Sequence, residues 1–167
     1  MKNILSLLIL LCGISSCTKA PRLVEVDKGY SSTSVNTTIF RNSSLASFEG
    51  KQYIAYYDAE GWMVIGSRLL NEDTWTLKRS QYKGNVKDAH NVISLMVDGE
   101  GYLHVAFDHH GHPLNYCRSV APHSLELGDK ESMTGVDEKD VTYPEFYRLA
   151  NGDLLFAYRS GASGRGN

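Results

Sequence analysis

A unit of about fifty residues recurs through the body of this chain, and a repeat of that length decides architecture before local propensity does. Its copies are Ser47–Asp58, Met96–Asp108 and Tyr147–Arg159. Each reads as a strand, a glycine turn and a second strand in which a small alanine precedes an aromatic residue. Gly50, Gly101 and Gly152 stand at equal intervals, and Asp58, Asp108 and Arg159 follow the second strand of each copy. Asp98-Gly99 and Asn151-Gly152 are hairpin dipeptides, because glycine takes positive φ freely and Asp or Asn takes it at lower cost than most residues. A third strand is predicted at Trp62–Arg68 and again at Leu114–Ser119, and a fourth at Thr74–Arg79. Four short antiparallel strands per unit are the mark of a β-propeller blade. A β-sandwich would need the equal spacing to be a coincidence. The expected fold is all-β, a β-propeller.

Propellers close with roughly four to eight blades, so seven such units need about 360 residues. The chain has 167 residues, room for two units and the start of a third. The expectation is the N-terminal part of a longer propeller, truncated within a unit at Gly164-Arg165-Gly166-Asn167.

The N-terminus reads as an address. Lys2 precedes a mostly apolar run from Ile4 to Ile14, too short to span a bilayer and built like a secretory signal. Ile14-Ser15-Ser16-Cys17 resembles a bacterial lipobox, in which cleavage precedes a cysteine that carries diacylglycerol. An ordinary signal peptide with an incidental Cys17 is the alternative. The expected organisation is a lipoprotein signal at residues 1–16, a lipid-anchored tether at 17–30 with Cys17 acylated, and a partial propeller catalytic domain at 31–167. Buried methylenes then hold the protein to the membrane without a transmembrane helix. The expected location is the bacterial outer membrane, facing the periplasm or the cell surface. Once the leader with Cys12 is gone, Cys117 alone remains, so no internal disulfide forms. The sequons at Asn36 and Asn42 read as chance. Seventeen basic against 19 acidic side chains give no footprint for nucleic acid, and a monomer is expected.

The residues able to do chemistry cluster at strand ends. His90 enters the first strand of the second unit, and His109, His110 and His112 follow its second strand. Tyr143-Pro144 enters the third unit, and Arg159 leaves its second strand. In a propeller, loops entering the first strand and leaving the second open on one face, which gathers His90, His109, His110, Tyr143 and Arg159 around one mouth. Imidazoles in Asp108-His109-His110-Gly111-His112 could converge on a metal, but the reading adopted has no metal and no cofactor. His90 by itself could be structural, Tyr143 blade packing, and Arg159 the partner of a carboxylate. His104 lies within a strand and reads as structural, and His123 as solvent-exposed.

Four strings occur in order: Asp88-Ala89-His90-Asn91, Val105-Ala106-Phe107-Asp108-His109-His110-Gly111, Thr142-Tyr143-Pro144-Glu145-Phe146 and Phe156-Ala157-Tyr158-Arg159-Ser160-Gly161. Together they resemble the BNR repeat-containing family, which includes ulvan lyases built as seven-bladed β-propellers. The resemblance covers roughly residues 30–167. It implies β-elimination on a uronic-acid-containing polysaccharide, with two histidines, a tyrosine and an arginine matching His90, His110, Tyr143 and Arg159. His109 is the alternative to His110, and both are counted as substrate-binding with Arg159. Where the family has Gly-Asn-Gly after the serine that matches Ser163, this chain has Gly164-Arg165-Gly166.

These residue types suit elimination at a uronate. A guanidinium matches the carboxylate whose charge grows as C5 loses its proton. Tyrosine and histidine can divide the roles of base and acid, so Tyr143 and His90 form that pair, in either order. One alternative is a propeller glycoside hydrolase, which wants two carboxylates across the scissile bond; Asp58 and Asp108 recur with the repeat and read as structural. The other is a non-catalytic, surface-anchored glycan-binding propeller using Tyr53, Tyr57, Trp62 and Trp75 as aromatic platforms.

Overall fold

The structure is a computed structural model that describes residues 22–37, 43–162 and 164–166. The leader, Cys17, Asn42 and the first part of the tether lie outside the described residues. Strands β1 (Leu45–Phe48), β2 (Lys51–Tyr57), β3 (Trp62–Leu69) and β4 (Thr76–Lys83) form one antiparallel sheet in chain order. Next come β5 (Ile93–Val97), β6 (Leu103–Phe107), β7 (His110–His112) and β8 (Tyr116–Arg118), of which β5, β6 and β8 make the second sheet. The third contains β9 (Val141–Arg148), β10 (Leu154–Ala162) and β11 (Arg165–Gly166), in the order β11-β10-β9-β7. No helix occurs among the described residues. The sheets are successive blades of a β-propeller, and they do not close into a ring. One segment departs from the repeat: β7 leaves the second blade and pairs antiparallel with β9 of the third.

The glycine turns are built for two different reasons. Glu49 and Gly50 sit at φ 46° and 76° and close a two-residue hairpin in which Phe48 faces Lys51, the geometry that matches strand twist. In the second hairpin the positive φ falls on Gly101, at 89°, and not on the expected Gly99. Asp98 explains the difference: its Oδ1 accepts the backbone N–H groups of Glu100 and Tyr102, each at 2.9 Å, and so winds a longer turn.

Strand alternation sorts side chains into two cores. Tyr53, Ala55 and Tyr57 of β2 with Met63 and Ile65 of β3 pack against Ile93, Leu95, Val97, Leu103, Val105 and Phe107 of the second blade. Ala106 and Tyr116, on the opposite face, pack against Phe146, Leu154 and Phe156 of the third. The second blade is therefore covered on both faces, as its run of apolar residues requires. Tyr53 and Tyr57 are fully buried, so they are core residues and not the glycan platforms considered from sequence. His123 also departs from its expectation: its Nδ1 meets the Tyr53 hydroxyl at 2.9 Å and its ring stacks on Phe48.

The segment read as tether docks before residue 30. The Tyr56 hydroxyl donates to Asp27 at 3.1 Å, Gly29 bridges Asp58, and Tyr30 N donates to Tyr57 O at 2.8 Å. Asn36 spends its side chain holding this edge, donating to Tyr30 O and Tyr57 O and accepting from Tyr57 N.

Candidate active site

The loop between β4 and β5 carries Asp88 and His90. It is pinned at several points: Thr33 Oγ1 donates to Val86 O at 2.6 Å, Asn85 N to Asp108 Oδ1 at 2.7 Å, and Asn91 Nδ2 to Asn85 O at 3.2 Å. Gly84 starts it with no room for a side chain, since a Cβ there would lie 2.5 Å from the Tyr57 hydroxyl. Asp58 and Asp108 both accept backbone N–H groups, Asp58 within its own turn and Asp108 from Asn85. Asp58 Oδ1 accepts from Glu60 N and Trp62 N, and its Oδ2 pairs with Arg79.

His110 reaches the loop because β7 crosses over. His110 pairs with Thr142 in the register of β9. Thr142 is fully buried and fastens both neighbours of its strand: its Oγ1 accepts from Gly111 N at 2.8 Å and donates to Gly161 O at 2.7 Å. The next residue, Tyr143, lies at a bulge. Thr142 faces Arg159 and Glu145 faces Ala157, so Tyr143 and Pro144 together oppose Tyr158. Proline has no N–H to give to an interior ladder, and a bulge is where a sheet tolerates it. Tyr143 takes φ 53°, a left-handed conformation costly for an aromatic residue and typical of functional sites.

The side chains converge. His90 Nδ1 lies 2.7 Å from Asp88 Oδ1, and His110 Nδ1 lies 2.6 Å from Asp88 Oδ2. The two imidazoles stack with centroids 4.3 Å apart. The Tyr143 ring lies 6.0 Å from that of His90, and the Arg159 guanidinium sits 5.0 Å above the Tyr143 ring. Burial by itself would raise the Asp88 carboxyl, but the His90 backbone N–H and both imidazoles outweigh it and hold it well below the usual carboxylate range. Asp88 is therefore an ionised, acceptor-only group, so both Nδ1 atoms donate to it. In the neutral rings Nε2 then carries the lone pair. Arg159 is half-buried, and its Nε and Nη2 are buried with no hydrogen-bond partner among the described residues. Such a cation is expensive unless a ligand anion completes it.

The structure thus brings together His90, His110, Tyr143 and Arg159. His109 does not join them. It is fully buried, its Nε2 accepts from Asn115 N at 2.8 Å, and burial, helped by His112 and Lys130, lowers its pKa to about 3. Successive strand residues face opposite ways, and Asp108 at φ 62° turns the chain just before this pair. Sequence reasoning gave no role to Asp88 or Thr142, although both stand beside residues it chose.

Asp88, His90 and His110 also form the one group among the described residues whose donor atoms lie close enough, within 4.8 Å, to hold a metal ion. Two imidazoles and a carboxylate suit zinc. Ligands of a tetrahedral zinc, however, stand about 3.3 Å apart, whereas the nitrogen–oxygen separations of 2.6 and 2.7 Å are those of hydrogen bonds. The histidines of Asp108–His112, weighed from sequence as an alternative metal cluster, do not converge: His112 Nδ1 accepts from His110 N while His109 turns inward.

The sequence profile of the BNR repeat-containing family matches residues 51–167. The chain belongs to that family. Another protein, the ulvan lyase of Nonlabens ulvanivorans, is 31% identical over 93 residues, covering 45% of this chain and 18% of that one. The BNR chain also superposes on solved structures. On a PL25 ulvan lyase bound to -[GlcA(1-4)Rha3S]- the TM-score is 0.64 at 19% identity, over 83% of this chain and 36% of the other. On the polysaccharide lyase Uly1 it is 0.65 at 13% identity, over 87% and 41%. This BNR chain spans well under half the length of each of these proteins.

Proposed function

We propose that this chain carries the catalytic rim of a polysaccharide lyase that cleaves a uronic-acid-containing, ulvan-like polysaccharide by β-elimination. The observation that carries the reading is Arg159: a half-buried guanidinium with unsatisfied nitrogens, beside a tyrosine and a histidine held in ring contact. A uronate carboxylate would satisfy that fork bidentately, and its growing enolate-like charge strengthens the pairing in the transition state. Tyr143 and His90 then form the acid–base pair. One takes the C5 proton, the C5–H electrons become the C4=C5 double bond, the C4–O4 bond breaks, and O4 takes a proton from the other. His110 lies against His90 and contacts the same sugar. The ulvan lyases among the similar proteins support this substrate class. Acylation of Cys17, with anchoring to an outer membrane, is the companion proposal on location.

The test is incubation of the purified protein with ulvan and other uronate polymers, followed by ultraviolet absorbance of the unsaturated ends that elimination creates. The expected result is a rise that disappears in Tyr143→Phe and Arg159→Ala. New reducing ends without that absorbance would replace the lyase with a hydrolase.

A further inference from the structure

We infer that Asp88 is the positioning residue of this rim: it locks His90 and His110 in one tautomer, so that His90 begins the cycle as proton acceptor and Tyr143 as proton donor. The inference rests on the elimination reading for its chemistry and on geometry for the clamp itself. One carboxylate receives both Nδ1–H groups, on separate oxygens, at 2.7 and 2.6 Å. A carboxylate has no proton to give, so neither ring can turn its lone pair toward it. The same Oδ1 takes the His90 backbone N–H at 2.9 Å, which fixes the carboxylate plane relative to the loop. The rings, stacked 4.3 Å apart, are therefore held edge-on to Asp88 with Nε2 remote from it. A neutral His90 so held cannot protonate O4 through Nε2, but it can take the C5 proton there. Tyr143, which carries an O–H, is left to supply the proton that O4 needs. The proton gained by His90 and the one lost by Tyr143 balance, and transfer between them or through solvent resets the site.

Asp88→Asn separates this role from mere support of the loop. Asparagine offers one acceptor and one donor group where aspartate offers two acceptors. One of the two imidazoles must then accept at Nδ1 and move its proton to Nε2. Nitrogen-15 NMR of ring nitrogens, assigned with His90→Gln and His110→Gln, reads the tautomers directly. In the unmodified protein both rings are expected as the Nδ1–H form. In Asp88→Asn one ring is expected to switch, and where that ring is His90, kcat is expected to fall about a hundredfold with KM little changed.

An Nε2–H form for either ring in the unmodified protein overturns the clamp, whether or not the variant folds. Unchanged tautomers in a folded Asp88→Asn also overturn it. A switched His90 tautomer with unchanged kcat overturns the catalytic consequence. Absence of elimination in the unmodified protein, with the tautomer switch intact, overturns the lyase reading and leaves the clamp standing.

Discussion

The Asp98–His104–Tyr116 chain and the Asp88–His90–His110 cluster are built from the same kinds of side chain and spend them differently. His104 uses both ring nitrogens: Nε2 meets Asp98 Oδ2 at 3.0 Å, and Nδ1 meets the Tyr116 hydroxyl at 2.7 Å. Its side chain is 15% exposed, against 34% for His90 and 28% for His110. Facing an ionised carboxylate, a neutral His104 takes the Nε2–H tautomer, and its Nδ1 then accepts from Tyr116. The ring closes a polar circuit between the second and third blades, among Phe146 and Tyr116. At the other cluster one carboxylate serves two rings through Nδ1 alone, and the His90 ring lies 6.0 Å from that of Tyr143. An aspartate–histidine pair becomes a candidate catalytic device through which nitrogen is spent and where the ring lies, not through the pairing itself.

Removing charge and proton carriers from the rim has the greatest effect on turnover. Arg159→Ala and His90→Gln are each expected to lower kcat/KM for elimination by about a hundredfold to ten-thousandfold. Arg159→Ala should not lower the melting temperature, because its guanidinium nitrogens Nε and Nη2 make no hydrogen bond among the described residues and their removal relieves an unpaired buried cation. A large loss of stability in that variant would place Arg159 with the structural group.

His104→Leu should do the reverse. It strands the Tyr116 hydroxyl and the Asp98 carboxylate, which costs about 2–3 kcal/mol, and leaves turnover per folded molecule intact. Denaturant unfolding with activity measured on the same sample checks both halves. A turnover loss with full stability would make the circuit functional.

His109 sharpens the contrast by pH. Its folded pKa of about 3 lies below the ordinary 6.5, so the unfolded chain binds a proton that the folded chain refuses. The stabilisation from keeping it neutral is complete above about pH 6.5 and declines by about 1.4 kcal/mol per pH unit below that. His109→Gln, which retains an acceptor for Asn115 N, should flatten this part of the stability curve. An unchanged slope would show that another group carries it.

The smallest effect expected is at Asp98. Burial acts to raise its carboxyl, but the His104 ring and the backbone N–H groups of Tyr102 and Glu100 outweigh it and hold it below its ordinary value. Its contribution is present above the unfolded pKa and lost as pH falls through the folded one. Asp98→Asn should therefore cost less stability at about pH 3 than at about pH 7. Equal costs at both would remove the carboxylate's charge from the account.

The repeat, the hairpins and the blade architecture were legible in the sequence because their causes are local. Glycine at Gly50, Gly101 and Gly152 answers a backbone demand within its own turn, and strand alternation needs only neighbouring residues. Loops on one face of a propeller must gather, which made five residues legible as candidates, and His109 is the one the structure turns away. Their arrangement was not legible. The partition between His109 and His110 depends on β7 leaving its own blade to pair with β9, a contact between residues far apart in sequence. The pose of Tyr143 depends on a bulge that exists only once β10 lies beside Pro144. The role of Asp88 depends on His110 arriving from another blade to share its second oxygen. Turn chemistry and periodicity are written along the chain, whereas a shared carboxylate is decided when separate strands pair and pack.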